Sequence, residues 1–228
     1  MILIVLLVAA ALIFGPQWWV KRVMRRYSRP QDRYPGTGGE LARHLLDKMG
    51  LDEVRVERTE DQGDHYDPRD RVVRLSPDNF DQRSLTAVTV AAHEVGHAIQ
   101  HADGYEPLIW RTRLVEWMTR WQRIGVILIG LVPVVLLLLR LPAAGLGLLL
   151  IGLATLASGI LIHFVTLPTE FDASFKRALP ILVKGGYLKQ EDRWPARRIL
   201  TAAALTYVSA SLMGLVNFWW WLRILRPG

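Results

Sequence analysis

Charged and apolar residues are sorted into separate stretches along this 228-residue chain, and that sorting limits what it can fold into. Four blocks carry almost no charge: Ile2 to about Val20, Ile124 to Leu139, Ala143 to about Leu167, and Ile199 to Leu222. A water-soluble core mixes its apolar residues with polar ones at helical or strand spacing, whereas uncharged runs of this length predict membrane helices. Trp18-Trp19 closes the first block and Trp219-Trp220-Trp221 the fourth, as an interfacial aromatic belt requires. The second block is short for a span unless the preceding helix extends it, and Arg140-Leu141-Pro142 makes a tight break before the third. No basic segment precedes Ile2 and no small-residue cleavage site follows Val20, so an uncleaved anchor is expected. The fourth block contains Thr, Ser and Asn, and a buried soluble helix is its alternative reading.

The formal charge of +7 is not gathered into one dense run or a nucleic-acid motif, so no nucleic-acid partner is expected. The basic residues lie beside the apolar blocks, where the positive-inside bias would place them. Arg111, Arg113, Arg120 and Arg123 precede the second block, and Lys176, Arg177, Lys184, Lys189, Arg193, Arg197 and Arg198 fall between the third and fourth. Four spans with both basic segments cytoplasmic satisfy this pattern, which predicts an integral protein of a bacterial inner membrane. Arg223 and Arg226 oppose that orientation, but either orientation keeps 21–123 and 168–198 on one side.

The expected division is therefore 1–20 as an N-terminal anchor, 21–123 as a cytoplasmic domain, and 124–167 as a transmembrane hairpin. A second cytoplasmic segment over 168–198 and a last span over 199–222 complete it. The fold class expected is mainly α, with about four transmembrane helices and a small α+β domain. In that domain Gly38 to Met49 reads as a helix closed by Gly50. Glu53 to Arg58 and Arg71 to Ser76 alternate like strands, and the segment between them, with Gly63, Asp64, Asp67 and Pro68, suits a turn. Ser84 to His101 has helical spacing, with a start after Pro77-Asp78 as an alternative. Trp110, Leu114, Trp117 and Trp121 fall at i, i+4, i+7 and i+11, the pattern of a helix lying against lipid headgroups or packed on the soluble domain.

The chemistry concentrates in His93-Glu94-Val95-Gly96-His97. Two His four residues apart share one helix face, close enough for both to reach one zinc ion at about 2.0–2.1 Å. Glu94 lies beside the pair, where its carboxylate can take a proton from zinc-bound water and pass it to a leaving amine. Gly96 predicts close packing beside the metal. The flanks, Ala87 to Ala92 and Ala98-Ile99, make an apolar helix in which unpaired His and Glu would be costly, a cost that a metal removes. Cysteine is absent, which excludes disulfides, thiolate ligands and cysteine nucleophiles.

Hydrolytic zinc needs a third protein ligand and one open position. Gln100 and Asp103 stand where the extended metalloprotease pattern has Gly and His, and His101 is one turn too far along a straight helix and suits polar packing. Glu170 is the candidate, on a helix expected to start at a Thr169 cap and to run through Phe171 to Val183, with Asp172 as the competing ligand.

The phrase Ala-Ala-His-Glu-Val-Gly-His-Ala-Ile-Gln at 91–100 resembles the membrane neutral zinc metallopeptidases of the YugP-like family. So do His65-Tyr66-Asp67-Pro68, Leu167-Pro168-Thr169-Glu170-Phe171-Asp172-Ala173-Ser174 and Ala202-Ala203-Ala204-Leu205-Thr206-Tyr207, and the resemblance spans nearly the whole chain. A more distant similarity is to HtpX-like and CAAX-prenyl endopeptidases, whose third ligand is a Glu followed four residues later by Asp. That pattern implies Glu170 as ligand, but Ser174 replaces the Asp, so the partner that orients His93 is open among Ser174, Asp172 and Asp67. His65 and Tyr66 are candidates for an oxyanion stabiliser or for ordinary turn and packing residues. His163 is an ionisable residue inside a span, and Arg71 to Ser76 could offer a strand edge to an extended peptide. The activity expected is a zinc endopeptidase acting on membrane or membrane-proximal proteins; the alternative is a non-catalytic scaffold or chaperone with a structural zinc.

Overall fold

The computed structural model of the chain describes residues 2–60 and 63–206, with backbone alone for 2–10, 12–13 and 156–164. It is mainly helical. Helix α1 (Ile2–Tyr27) is followed by α2 (Gly38–Lys48), strands β1 (Arg55–Arg58), β2 (His65–Asp67) and β3 (Val72–Leu75), and helices α3 (Pro77–Asp81) and α4 (Leu85–Ala102). Helix α5 (Glu106–Pro133) passes into a π-helical turn at Val134–Leu138. Helix α6 (Pro142–Phe171) then runs into a π-helical segment, Asp172–Ala178, and on into α7 (Leu179–Lys184). A last helix, α8, covers 193–206. The chain divides into two compact units, one holding 2–15 and 110–166 of the described residues, the other Pro16–Ile109 and Leu167–Thr206.

In the second unit local chemistry sets the helix ends. Thr37 caps α2 through a reciprocal bond with Glu40, and Gly50, at φ 69, lets the chain leave in the left-handed region. Ser84 caps α4 by accepting from the Ala87 amide at 3.1 Å. The sheet has the order β1-β3-β2, with β1 parallel and β2 antiparallel to β3. Val73 and Leu75 of β3 join Leu45, Leu46, Val88, Val95, Leu182, Ile199 and Leu200 in one core. Each fully buried Leu or Val there contributes about 1.5–3 kcal/mol. Helix α4 is buried along nearly its whole length, so every polar side chain on it needs an internal partner.

Two expectations change here, and one alternative is decided. His65-Tyr66-Asp67 forms β2 rather than a turn, because the tight turn comes one step later. There the Asp67 carboxylate accepts from the Arg69 and Asp70 amides, and Arg71 adopts φ 49. Among the described residues strand β3 is therefore central, hydrogen-bonded on both sides, and β1 and β2 are the outer strands. Pro77 starts the separate short helix α3, and α4 begins only after Ser84.

In the first unit, α5 absorbs the expected interfacial stretch into one continuous helix, which supplies the length that the second apolar block lacks alone. Among the described residues, one helical stretch is long and apolar enough to cross a membrane, Glu106–Leu138, and about four such spans are not reached. The fourth block beyond Thr206, with its terminal tryptophans, and the His163 side chain lie outside the described residues. Trp110, Trp117 and Trp121 are exposed, as are Val126, Ile127, Leu137 and Leu138. Arg140, at φ 55, makes the break before α6. Within this unit α5 and α6 approach so closely that a Cβ on Gly152 would lie 2.6 Å from Ile129. Small residues at such crossings let helix backbones pack closely where no water drives association.

Candidate metal centre

Helix α4 places His93 and His97 one turn apart, with ring centroids 4.8 Å from each other. Glu170 comes from the last turn of α6. Its Oε2 lies 3.3 Å from Nε2 of His93 and 3.3 Å from Nε2 of His97, and all three side chains are buried. The approach of the two segments depends on Gly96, where a Cβ would stand 2.8 Å from the Ala173 carbonyl oxygen. The close packing expected at that glycine is therefore against the helix that carries Glu170.

Hydrogen bonds on the far side of each ring decide what the near side offers. Ser174 Oγ lies 3.1 Å from the Leu200 carbonyl, which can only accept, so the hydroxyl proton goes there. The His93 Nδ1–H must then donate to Ser174 Oγ, at 3.0 Å. Gln100 settles His97 in the same way. Its amide nitrogen donates to the Thr169 carbonyl and to Asp172 Oδ1, both at 2.9 Å, which leaves Oε1 to accept from His97 Nδ1 at 2.9 Å. Both imidazoles thus carry a proton on Nδ1, and both Nε2 atoms converge on a buried carboxylate. Electron-rich atoms held together out of water need a cation between them. Tetrahedral zinc at 2.0–2.1 Å from each ligand would separate ligand atoms by about 3.3 Å, which matches the geometry found.

Asp172, the competing ligand, is occupied elsewhere. It accepts from Gln100 and from Arg177 Nε at 2.9 Å, and Arg177 continues to Asp103. Burial would raise the Asp172 carboxyl, but the hydrogen bonds from Gln100 and Arg177 outweigh it and hold the group below the usual carboxylate range. Asp67 bonds Arg74 and its own turn, so Ser174 is the residue that orients His93. The expected Thr169 cap is absent: α6 runs straight through Pro168 into the π-helical segment, and Thr169 serves through its carbonyl. His101 Nδ1 and the Tyr66 hydroxyl share a hydrogen bond at 2.8 Å in a half-buried pair, and burial pushes Tyr66 up to about 12. His65 bonds the Gly63 carbonyl. These are the packing roles set beside their functional ones. Glu94 is buried on α4 directly after the first His. The residue missed from sequence is Gln100, whose signal was an uncharged amide three residues after His97 on a helix with no exposed face.

A family model described as "Putative neutral zinc metallopeptidase" matches residues 2–226. The chain belongs to this family. It is 36% identical to the "Putative membrane protease YugP" of Bacillus subtilis (strain 168), an alignment covering 100% of this chain and 98% of that one. Membership makes zinc the metal that the His93, His97 and Glu170 group is suited to hold. No solved structure matches the chain.

Proposed function

We propose that the protein is a membrane-embedded zinc endopeptidase that hydrolyses membrane or membrane-proximal proteins, with His93, His97 and Glu170 as metal ligands and Glu94 as the catalytic base. The observation that carries this is the convergence of both Nε2 atoms and the Glu170 carboxylate at 3.3 Å in a buried site. Bound there, zinc supplies a Lewis acid that lowers the pKa of water toward about 7 and polarises a scissile carbonyl. The residues do the rest. Ser174 and Gln100 keep both Nδ1 protons turned away from the metal. Glu94 takes the proton of the attacking water on its carboxylate and returns it to the leaving amine nitrogen. Among the described residues three protein ligands converge, and a structural zinc takes four, so the arrangement favours an open, hydrolytic position.

The exposed apolar surface of α5 and α6 and the relative's description as a membrane protease support residence in the bilayer. The four-span arrangement, the division into 1–20, 21–123, 124–167, 168–198 and 199–222, the inner membrane and a cytoplasmic site are proposed with it, on the charge pattern of the sequence. The test is zinc content and hydrolysis of a quenched fluorescent casein by the full chain in detergent. Glu94→Gln should keep its zinc and lose activity by about 10²–10⁴-fold. Glu170→Ala should lose most of both. Full activity in Glu94→Gln would overturn the mechanism, and unchanged zinc in Glu170→Ala would remove Glu170 from the ligand set.

A further inference from the structure

Gln100 touches both halves of the metal centre although it is itself too remote in role to be a ligand. Its carboxamide is fully buried, and each of its hydrogen-bonding directions toward the site is used. Oε1 takes the His97 Nδ1 proton. The two Nε2 protons go to the Thr169 carbonyl and to Asp172, 69 and 72 positions away in sequence. The Thr169 carbonyl belongs to the peptide group that leads directly into Glu170. One planar amide therefore spans a ligand on α4 and the backbone that delivers the ligand from α6.

The group cannot turn over. Rotating the carboxamide by half a turn would set Oε1 against a carbonyl and a carboxylate, neither of which can donate to it. Asp172 is held in turn by Arg177 Nε at 2.9 Å, and Arg177 reaches Asp103 at 2.5 Å. A relay of polar groups thus runs from the buried His97 ring to the exposed end of α4.

We infer that Gln100 is a positioning residue that fixes the bite of the zinc centre: it sets the His97 tautomer and ring angle and, by the same amide, the placement of Glu170. This rests on the zinc reading proposed above. A buried amide that only stabilised packing would leave metal affinity alone. Outer partners of metal ligands instead change affinity by about 10–100-fold when removed.

The experiment uses the full chain in detergent, with Zn²⁺ affinity from chelator competition and the visible spectrum of the Co²⁺-loaded protein. Gln100→Met, close in size, should bind zinc about 10–100-fold more weakly and alter the cobalt band intensities. Wild-type affinity and an unchanged spectrum in folded Gln100→Met would overturn the inference. A second measurement needs no variant. Histidine ¹⁵N spectra of the wild-type apoprotein at pH 8 should show His97 as the Nδ1–H tautomer before any metal is added, and an Nε2–H tautomer there would also overturn it. If wild type fails to bind zinc, the zinc reading itself falls. If wild type binds and Gln100→Met binds equally, only the role of Gln100 falls.

Discussion

Ser174 shows how much of the metal centre is decided by single side chains. A serine hydroxyl can accept one proton and donate another, and here it does both, from His93 Nδ1 and to the Leu200 carbonyl. An ionised aspartate at this position could only accept. A neutral partner raises the basicity of the imidazole less than a carboxylate does, but it still fixes the tautomer, and it ties the ring to α8 as well. Ser174→Ala should leave the His93 ring free to rotate and weaken zinc binding by about 10-fold. Chelator competition reads this directly, and unchanged affinity would mean that the ring is held by packing alone. In the proposed mechanism Glu94 and Glu170 differ from Ser174 in kind: the first moves a proton and the second holds the metal, so their substitutions should separate activity from metal content.

Among the elements, α4 and the π-helical segment matter most, because they form the contact that the site needs. A helix with a side chain at position 96 could not lie against Ala173, where the added Cβ would be 2.8 Å from the carbonyl oxygen. Gly96 has a helical cost of about 1 kcal/mol relative to Ala in isolation. The close approach reverses that preference. Gly96→Ala should lower stability by about 1–3 kcal/mol through overpacking, and should weaken zinc binding as Glu170 is pushed away from the two His. A thermal melt of the apoprotein tests the first effect; a variant at least as stable as wild type would show that the segments can shift without strain. The π winding of Asp172–Ala178, closed by the Leu179 amide on the Ser174 carbonyl, lies where Asp172 and Ser174 both serve the site. Such windings occur mostly as short insertions in helices near functional positions.

At the scale of the whole molecule, a buried ion pair ties the segment after α1 to the segment before α8. Asp192 is 4% exposed; it accepts from Arg33 at 2.7 and 2.8 Å and from the Tyr34 hydroxyl at 2.5 Å. Burial would raise the Asp192 carboxyl, yet the bonds from Arg33 and Tyr34 prevail and hold it below its ordinary value. The sign follows from linkage. A carboxyl with a depressed folded pKa contributes stability that is present above its unfolded value, about 3.9, and is lost as pH falls through the folded value. Melting temperature measured from pH 7 to pH 3 should therefore fall more steeply at the acid end for wild type than for Asp192→Asn, and the gap between the two should narrow below about pH 4. A constant gap across that range would show that the charge on Asp192 does not stabilise the fold.

The sequence by itself determined the mainly helical class, the helix carrying His93, Glu94 and His97, the need for close packing at Gly96, and the absence of thiol chemistry. These follow from local pattern: spacing along one helix, uncharged runs, and residue types that are simply missing. It read His65 to Asp67 as a turn because three residues carry too little periodicity to mark a strand, and only pairing with β3 makes them one. It left Glu170 and Asp172 as rivals because helix rotation is not encoded in a few residues of one segment. Tertiary structure decided between them, since α4 and the segment after α6 meet over about seventy residues of chain with Glu170 facing the two rings and Asp172 facing Gln100. The same meeting supplied what no local pattern holds: which atoms sit behind each imidazole, and so which nitrogen of each is left to face a metal.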